Sequence, residues 1–289
     1  MDQQRLDRAV SLEASNSYEG AIIIFQSLAT LFPDNVDVRV HLASCYGCLG
    51  KFPEAEQWTR DALHLDPKSG PAHYYLGCAL RDRDKLGEAF VHLEKGWALV
   101  EREFLEGPWR HTLGGSIGIK PMLHPPFQAK VKEDTEGFRW LMRSRKEYHC
   151  NTQVPFAVAI PPGFKRAGFL RKMILKVADY EVEIVPQKGK FPMLGVNVVG
   201  EVSDGSTEAA LETARFFLQR FSTRTLGEQT LVTRYGQAVV IYYLGSSDGL
   251  EHGKASIRWA SFEILLEIKA SEIEPYRRFF EDWVQTLEV

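Results

Sequence analysis

The 289-residue sequence is 44% hydrophobic and 25% charged, with a formal net charge of −3, which is apolar material enough for two ordinary cores and gives no global electrostatic reason to bind nucleic acid or an anionic membrane. No uncharged apolar run approaches the roughly 20 residues of a spanning helix, and the first residues lack the apolar centre of a secretory signal. Four cysteines in so long a chain argue for a reduced, cytoplasmic setting and against a disulfide framework.

The first predicted elements repeat. Ala21, Ala55 and Ala89 stand 34 positions apart, as do Pro33 and Pro67. The middle copy reads Leu42, Ala43, Tyr46, Gly50, Ala55, Ala62 and Pro67; Leu76, Gly77, Leu80 and Gly96 take corresponding places in the third, and Ala9, Leu12, Phe25 and Leu28 belong to the first. Pro53 fits the first turn of a helix, where a missing N–H costs nothing. Ala55 and Ala62, seven apart, share a helical stripe that allows close approach of a partner helix.

Over residues 2–105 this pattern resembles the tetratricopeptide repeat family, whose unit is a pair of antiparallel helices. The resemblance implies an all-α solenoid of three hairpins whose first helices line a concave groove for protein segments. Carried onto this sequence, the groove face is Leu6, Val10, Asp37, Val40, Ser44, Tyr74, Cys78 and Arg81. Members that clamp chaperone carboxylate tails use charged donors at several such places; the mostly apolar set here suits an apolar partner segment instead. A competing expectation is that the chain's own 106–135 segment fills the groove.

Residues 106–135 are rich in proline and glycine without sustained period and read as a connection. Trp109, Met122 and Phe127 favour its wrapping over a neighbour. "GGSIGIK" lacks the Gly-Lys-Ser/Thr of a phosphate loop. A helix near 136–148, with Phe138, Leu141 and Met142 at helical spacing, is expected to cap or bridge the third repeat. Arg139, Arg143, Arg145 and Lys146 around Trp140 form the mixture nucleic-acid binders use, but one short cluster neutralises too few phosphates. A basic face meeting the acidic repeats, which carry 11 basic and 16 acidic side chains over 1–105, is the simpler role.

From residue 154 the period becomes two. Strands are predicted at Phe156–Val158–Ile160, at Tyr180–Val182–Ile184 with Glu181 and Glu183 on a wet face, and in "LGVNVVGEV". A helix through Leu211, Ala214, Leu218 and Phe221, capped by Ser206, follows. Two long strands, "TLVTRYGQAVVIYYLG" and "ASIRWASFEILLEIKA", flank a glycine-rich loop. The last helix opens on the capping box Ser271–Glu274 and carries Tyr276, Phe279, Phe280, Trp283 and Leu287. This is an antiparallel α+β sandwich, with helices covering the sheet. Its layout, "FAVAIPPGF", "ASFEILLEIKA" and "YRRFFEDWVQTL" resemble the Mog1/PsbP-like group, including DcrB-type domains, over 152–289. That resemblance implies a binding or assembly module with no catalytic residue to carry over.

Metal and redox chemistry find little support. His41, Cys45 and Cys48 share a helix face but lack a fourth ligand. They also lie far from the helix N-terminus that would activate a thiol. His252, the sole histidine after residue 149, reads as a loop residue without a nucleophile beside it. The expected organisation is a repeat domain over 1–105, a linker with a bridging helix over 106–151, and an α+β domain over 152–289. The expected role is a non-enzymatic adaptor or chaperone for complex assembly, binding an apolar protein segment in the groove and a second surface through the α+β domain, with no cofactor, metal or nucleic acid. The alternative is an enzyme whose site lies in 152–289, with the repeats as docking arm.

Overall fold

The structure, a computed structural model, describes residues 3–106, 125–167, 182–189, 191–198, 212, 215, 224–234, 236–247, 250–259 and 262–289. The predicted helix at 211–221 with its Ser206 cap, the strand start at Tyr180, and Trp109, Met122 and "GGSIGIK" lie outside these residues. The chain divides into two compact units, residues 1–145 with 150–157 and 288–289, and residues 146–149 with 158–287. Each is described by itself.

The first unit is built from antiparallel helical pairs: α1 (Gln3–Ala14) with α2 (Tyr18–Leu31), α3 (Val36–Cys48) with α4 (Phe52–Leu65), and α5 (Gly70–Arg81) with α6 (Leu86–Glu106). The 34-residue period extends to the backbone. Within each pair the turn is made by one residue in the left-handed region, Asn16 (φ 60°), Gly50 (φ 70°) and Asp84 (φ 59°). These are the residue types that tolerate that conformation, by lacking a Cβ or by bonding locally through a short polar side chain. The entries repeat as well. Asn35 accepts a hydrogen bond from the Val38 N–H and Ser69 from the Ala72 N–H, at 2.9 and 3.3 Å, satisfying donors that a helix start leaves orphaned.

Ala21, Ala55 and Ala89 are all 1% exposed or less, so the shared small residue is where helices touch. Phe25, Leu28, Val38, Leu42 and Cys45 form one core cluster with Leu6 and Ala9. Each large side chain buried there contributes about 1.5–3 kcal/mol. The outer side of α4 is tied to the next pair by buried Glu56, which accepts hydrogen bonds from Arg60, Arg83 and Lys85.

The helix expected near 136–148 is α7, spanning Pro125–Ser144. It starts 11 residues earlier than that expectation, and its first half occupies sequence read as a connection. Pro125 and Pro126 sit in its first turn, where proline starts a helix rather than stopping one. Phe127, Val131, Phe138 and Met142 are buried. Arg139 donates to both oxygens of Glu94 on α6, at 2.9 and 2.7 Å. No described helix is long and apolar enough to cross a membrane.

Between α5 and α6, His73 and His92 meet with 2.9 Å separating their Nδ1 atoms. His73 Nε2 lies 3.1 Å from the Pro67 carbonyl, a pure acceptor. Nε2 therefore carries the His73 proton, and the Nδ1–H of His92 donates into His73 Nδ1. Burial holds His73 down to about 4 and His92 well below its ordinary value; the charged groups facing them are Lys95, Asp66 and Arg60. A histidine whose folded value is depressed gives stability that is complete above its unfolded value and is lost as pH falls through it. From His73 alone the loss between pH 7 and pH 5 is expected to be about 2 kcal/mol. Denaturant midpoints of the helical signal at the two pH values check this, with the drop reduced in a His73→Phe, His92→Leu variant.

After a two-stranded sheet of β1 (Tyr148–Asn151) and β2 (Phe156–Ala159), the second unit is a seven-stranded antiparallel sheet. Its strands are β3 (Phe164–Arg166), β4 (Val182–Pro186), β5 (Met193–Val198), β6 (Arg224–Thr233), β7 (Gly236–Ser247), β8 (Leu250–Trp259) and β9 (Phe262–Lys269). Their order is β3-β4-β5-β9-β8-β7-β6. Each of the two long predicted strands is in fact a hairpin, β6–β7 and β8–β9. The first turns at Gly236 (φ 117°), where Thr233 donates from its hydroxyl to the Gly236 carbonyl at 2.8 Å.

Helix α8 (Ile273–Val284) covers one sheet face. Tyr242 donates to Glu281 at 2.7 Å and carries the Arg277 guanidinium 4.2 Å from its ring centroid. Trp283 donates to the Ala159 carbonyl at 2.9 Å. The capping box expected at Ser271 does not form. A 3-10 turn, Ala270–Glu272, takes its place, and no side chain caps the helix.

Candidate functional site

The first helices of the second and third pairs, the loop end of α4 and the flank of α7 enclose a cleft of about 300 Å³. Its lining is Ala43, Ser44, Gly47 and Cys48 from α3, Phe52 and Ala55 from α4, Tyr74, Tyr75, Cys78, Ala79 and Arg81 from α5 with Asp82 after it, and Lys130 and Asp134 from α7. The walls are small or aromatic, and the charges are confined to α7 and the end of α5.

Of the eight groove residues expected from the repeat register, Ser44, Tyr74, Cys78 and Arg81 line this cleft. Leu6 is 3% exposed within the core of the first pair, with Val10 packed against it. Val40 is 1% exposed and packs on Ala62 and Ala72 between α4 and α5. Asp37 is half-buried near the start of α3, away from the lining. On α3 the lining runs a turn later than the expected face, through Ala43, Ser44, Gly47 and Cys48, and keeps only Ser44 of its three expected residues, whereas on α5 all three, Tyr74, Cys78 and Arg81, line the cleft. The glycine at 47 is a signal that sequence reading passed over: an unhindered gap in a helix wall, with nothing within 4 Å of where its Cβ would be.

Tyr74 anchors the site. It is 1% exposed, donates to Asp134 at 2.5 Å, and meets Phe127 edge-on with centroids 5.5 Å apart. Tyr75 stacks on the same Phe127 at 6.0 Å. The described part of that segment, from Pro125 on, reaches the groove as a helix that forms one wall; the rest of it lies outside the described residues.

Tyr74, Tyr75 and Cys78 of the lining stay protonated and uncharged at pH 7. Burial pushes the Tyr74 and Tyr75 hydroxyls well above the ordinary tyrosine range, with Asp134 adding to the first and a Ser44 hydrogen bond opposing the second. Burial also raises the Cys78 thiol to about 11, against the pull of Arg81. A protonated thiol is a weak nucleophile, so these groups act as polar-tipped apolar surface. Arg81 is already paired with Asp82 at 2.9 Å.

Of the residues considered for metal chemistry, only Cys48 lines the cleft. Cys45 is fully buried in the first core cluster while Cys48 is exposed. His41 stacks on Phe25 at 4.9 Å, its Nδ1 2.6 Å from Glu13. Among the described residues no cluster of three or more histidines, cysteines, aspartates or glutamates could hold a metal ion.

In the second unit His252 is a residue of β8, 4% exposed, and not of a loop. The turn preceding it is shorter than the glycine-rich sequence suggests. His252 Nδ1 lies 3.7 Å from Glu267, and Lys254 Nζ lies 3.9 Å from the same carboxylate. Glu183, which alternation assigns to a wet face, is 7% exposed, and Glu267 is 8% exposed.

No curated protein matches the chain. Similar solved structures include a T3SS complex from Aeromonas hydrophila, 16% identical over 50% of this chain and 83% of that one, TM-score 0.38. Another is the type III secretion translocator chaperone SycD of Yersinia enterocolitica, 18% identical over 49% and 85%, TM-score 0.37. A third is the Sgt2 TPR domain from Aspergillus fumigatus, 20% identical over 48% and 81%, TM-score 0.34. Residues 12–80, from the end of α1 to α5, match the tetratricopeptide repeat family model.

Proposed function

We propose that the chain is a non-enzymatic adaptor or chaperone that holds a short apolar segment of a protein partner in the cleft between α3, α5 and α7. The observation that carries this reading is the lining itself: two aromatic hydroxyls and a thiol kept protonated by burial, small residues between them, and charge only on α7 and at the end of α5. Such a surface rewards apolar side chains and offers a free carboxylate little, since Arg81 is engaged by Asp82. The tetratricopeptide match supports a role in protein interaction. Four cysteines in 289 residues suit a reducing compartment such as the cytoplasm. The sheet unit, whose layout resembles the Mog1/PsbP-like group, supplies a second surface for assembling a larger complex.

Filling the cleft tests this. Gly47→Trp adds bulk where nothing stands within 4 Å, so it is expected to block the site while leaving the helical signal and its unfolding midpoint within about 0.5 kcal/mol. Binding of labelled amphipathic helical peptides, followed by anisotropy, should weaken at least about tenfold and be unaffected by Ile23→Ser on the exposed side of α2. Peptide binding unchanged by Gly47→Trp removes the cleft from the account.

The second reading, an enzyme with its site in the sheet unit, is favoured by His252. The ring is buried, and neither nitrogen has a hydrogen-bond partner among the described residues. Under that reading His252→Ala abolishes a turnover and leaves peptide binding intact.

A further inference from the structure

The outer face of α7 takes no part in the cleft. While Phe127, Val131, Thr135, Phe138 and Met142 form its buried seam, Glu133, Glu136, Gly137, Trp140 and Arg143 are exposed on the other side. Trp140 leaves 74% of its surface in water, and Leu141 beside it 38%. A rigid aromatic body presented this way is what the centres of interfaces are made of.

One turn before it stands Gly137, with nothing within 4 Å of where its Cβ would be. Glycine weakens a helix interior, and neither a left-handed backbone nor a close neighbour among the described residues requires one here. The result is a notch the width of a side chain beside a projecting indole. Charge is ordered along the same face, with Glu133 and Glu136 before the notch and Arg143 after the indole. Neither Glu133 nor Arg143 has a hydrogen bond or ion pair among the described residues; Arg139 is taken by Glu94.

We propose that this face pairs with the same face of a second copy of the chain, the two α7 helices lying antiparallel about a twofold axis midway between Gly137 and Trp140. In that arrangement residue numbers across the axis run in opposite directions. Each Trp140 therefore covers the Gly137 notch of the other copy, and each Arg143 falls between the other copy's Glu133 and Glu136. A parallel pairing sets Arg143 beside Arg143 and leaves the notches facing each other, so the charge order selects the antiparallel form. Two glutamates against one arginine also make this face a poor match for a phosphate backbone, although Trp140 among basic residues suggests one when the sequence is read linearly.

Sedimentation velocity of the full chain through the micromolar range is expected to show a concentration-dependent monomer–dimer equilibrium. Gly137→Leu, a better helix former that fills the notch, should leave monomer only, with the helical circular dichroism unchanged. Arg143→Glu should weaken dimerisation at least about tenfold, and adding Glu133→Arg with Glu136→Arg should restore it. A chain monomeric at every concentration overturns the proposal, as does a dimer indifferent to both Gly137→Leu and the charge exchange. Binding of a fluorescein-labelled single-stranded oligonucleotide that is lost in Arg143→Glu, without any dimer, assigns the face to nucleic acid instead.

Discussion

Gly96→Ala is expected to cost about 3 kcal/mol, at the upper end for inserting one methyl group into a filled interior. A Cβ at this position lies 2.7 Å from the Tyr74 backbone nitrogen, 3.0 Å from its Cα and 3.2 Å from the Gly70 carbonyl. All three are backbone atoms, which cannot rotate away as a side chain does. Gly70 makes the reciprocal approach, where a Cβ would meet the Val100 nitrogen at 2.9 Å. Alanine gains about 1 kcal/mol in helix propensity over glycine, and the collision outweighs that gain. Because Tyr74 is the residue pushed, the variant should also disturb the Asp134 bond and weaken peptide binding. Equilibrium denaturation of the helical signal reads the first effect and anisotropy the second. Gly47→Ala is the control, gaining propensity with no collision. Equal stability of the Gly96→Ala and Gly47→Ala proteins contradicts the backbone contact between α5 and α6.

The second large effect concerns α7. Arg139→Ala is expected to destabilise the first unit by about 3 kcal/mol, because it strands a carboxylate inside rather than because the ion pair is strong. Glu94 is 4% exposed and receives both of its close donors from one guanidinium. Arg139→Met combined with Glu94→Leu should recover most of the loss, since two apolar groups need no partner. Arg139→Lys should recover little, because an ammonium cannot reproduce the two parallel bonds. Urea midpoints for the four proteins decide the matter; a double variant as unstable as the single one places the loss in packing instead.

The repeat was legible because its determinants are local and recur, a small residue wherever two helices touch and a proline at the exit; of the turn residues at positive φ, Gly50 entered the pattern while Asn16 and Asp84 did not. Identical chemistry is not required at that turn, which is why Asn, Gly and Asp serve alike. The cleft was only half legible. Helical spacing gives a face but not its phase relative to the neighbouring pair, so Val40, apolar like a groove residue, proved to be the contact on Ala62 and Ala72. Lys130 and Asp134 were hidden behind Pro125 and Pro126, whose meaning depends on whether they precede a helix or interrupt one. In the sheet, alternation tells to which side Glu183 points but not what lies on that side, and Glu183 is buried, as is His252 on a strand that runs into sequence read as a loop.

Among the described residues β6 pairs with no strand but β7, so much of the other row of its backbone amides and carbonyls over ten residues is a template for another strand. The register shift between Thr225 and Gly227 bends the first part of this margin away from flatness, and Arg224 and Glu228 place charge along it. Its far end, with Val232 75% exposed, has neither bulge nor charge and is covered only where the Gln285 side chain donates to the Val232 carbonyl at 3.1 Å. Fibril growth from partly unfolded molecules would therefore be seeded from the Val232 end, and a lysine there would be the economical safeguard in any preparation kept at high concentration.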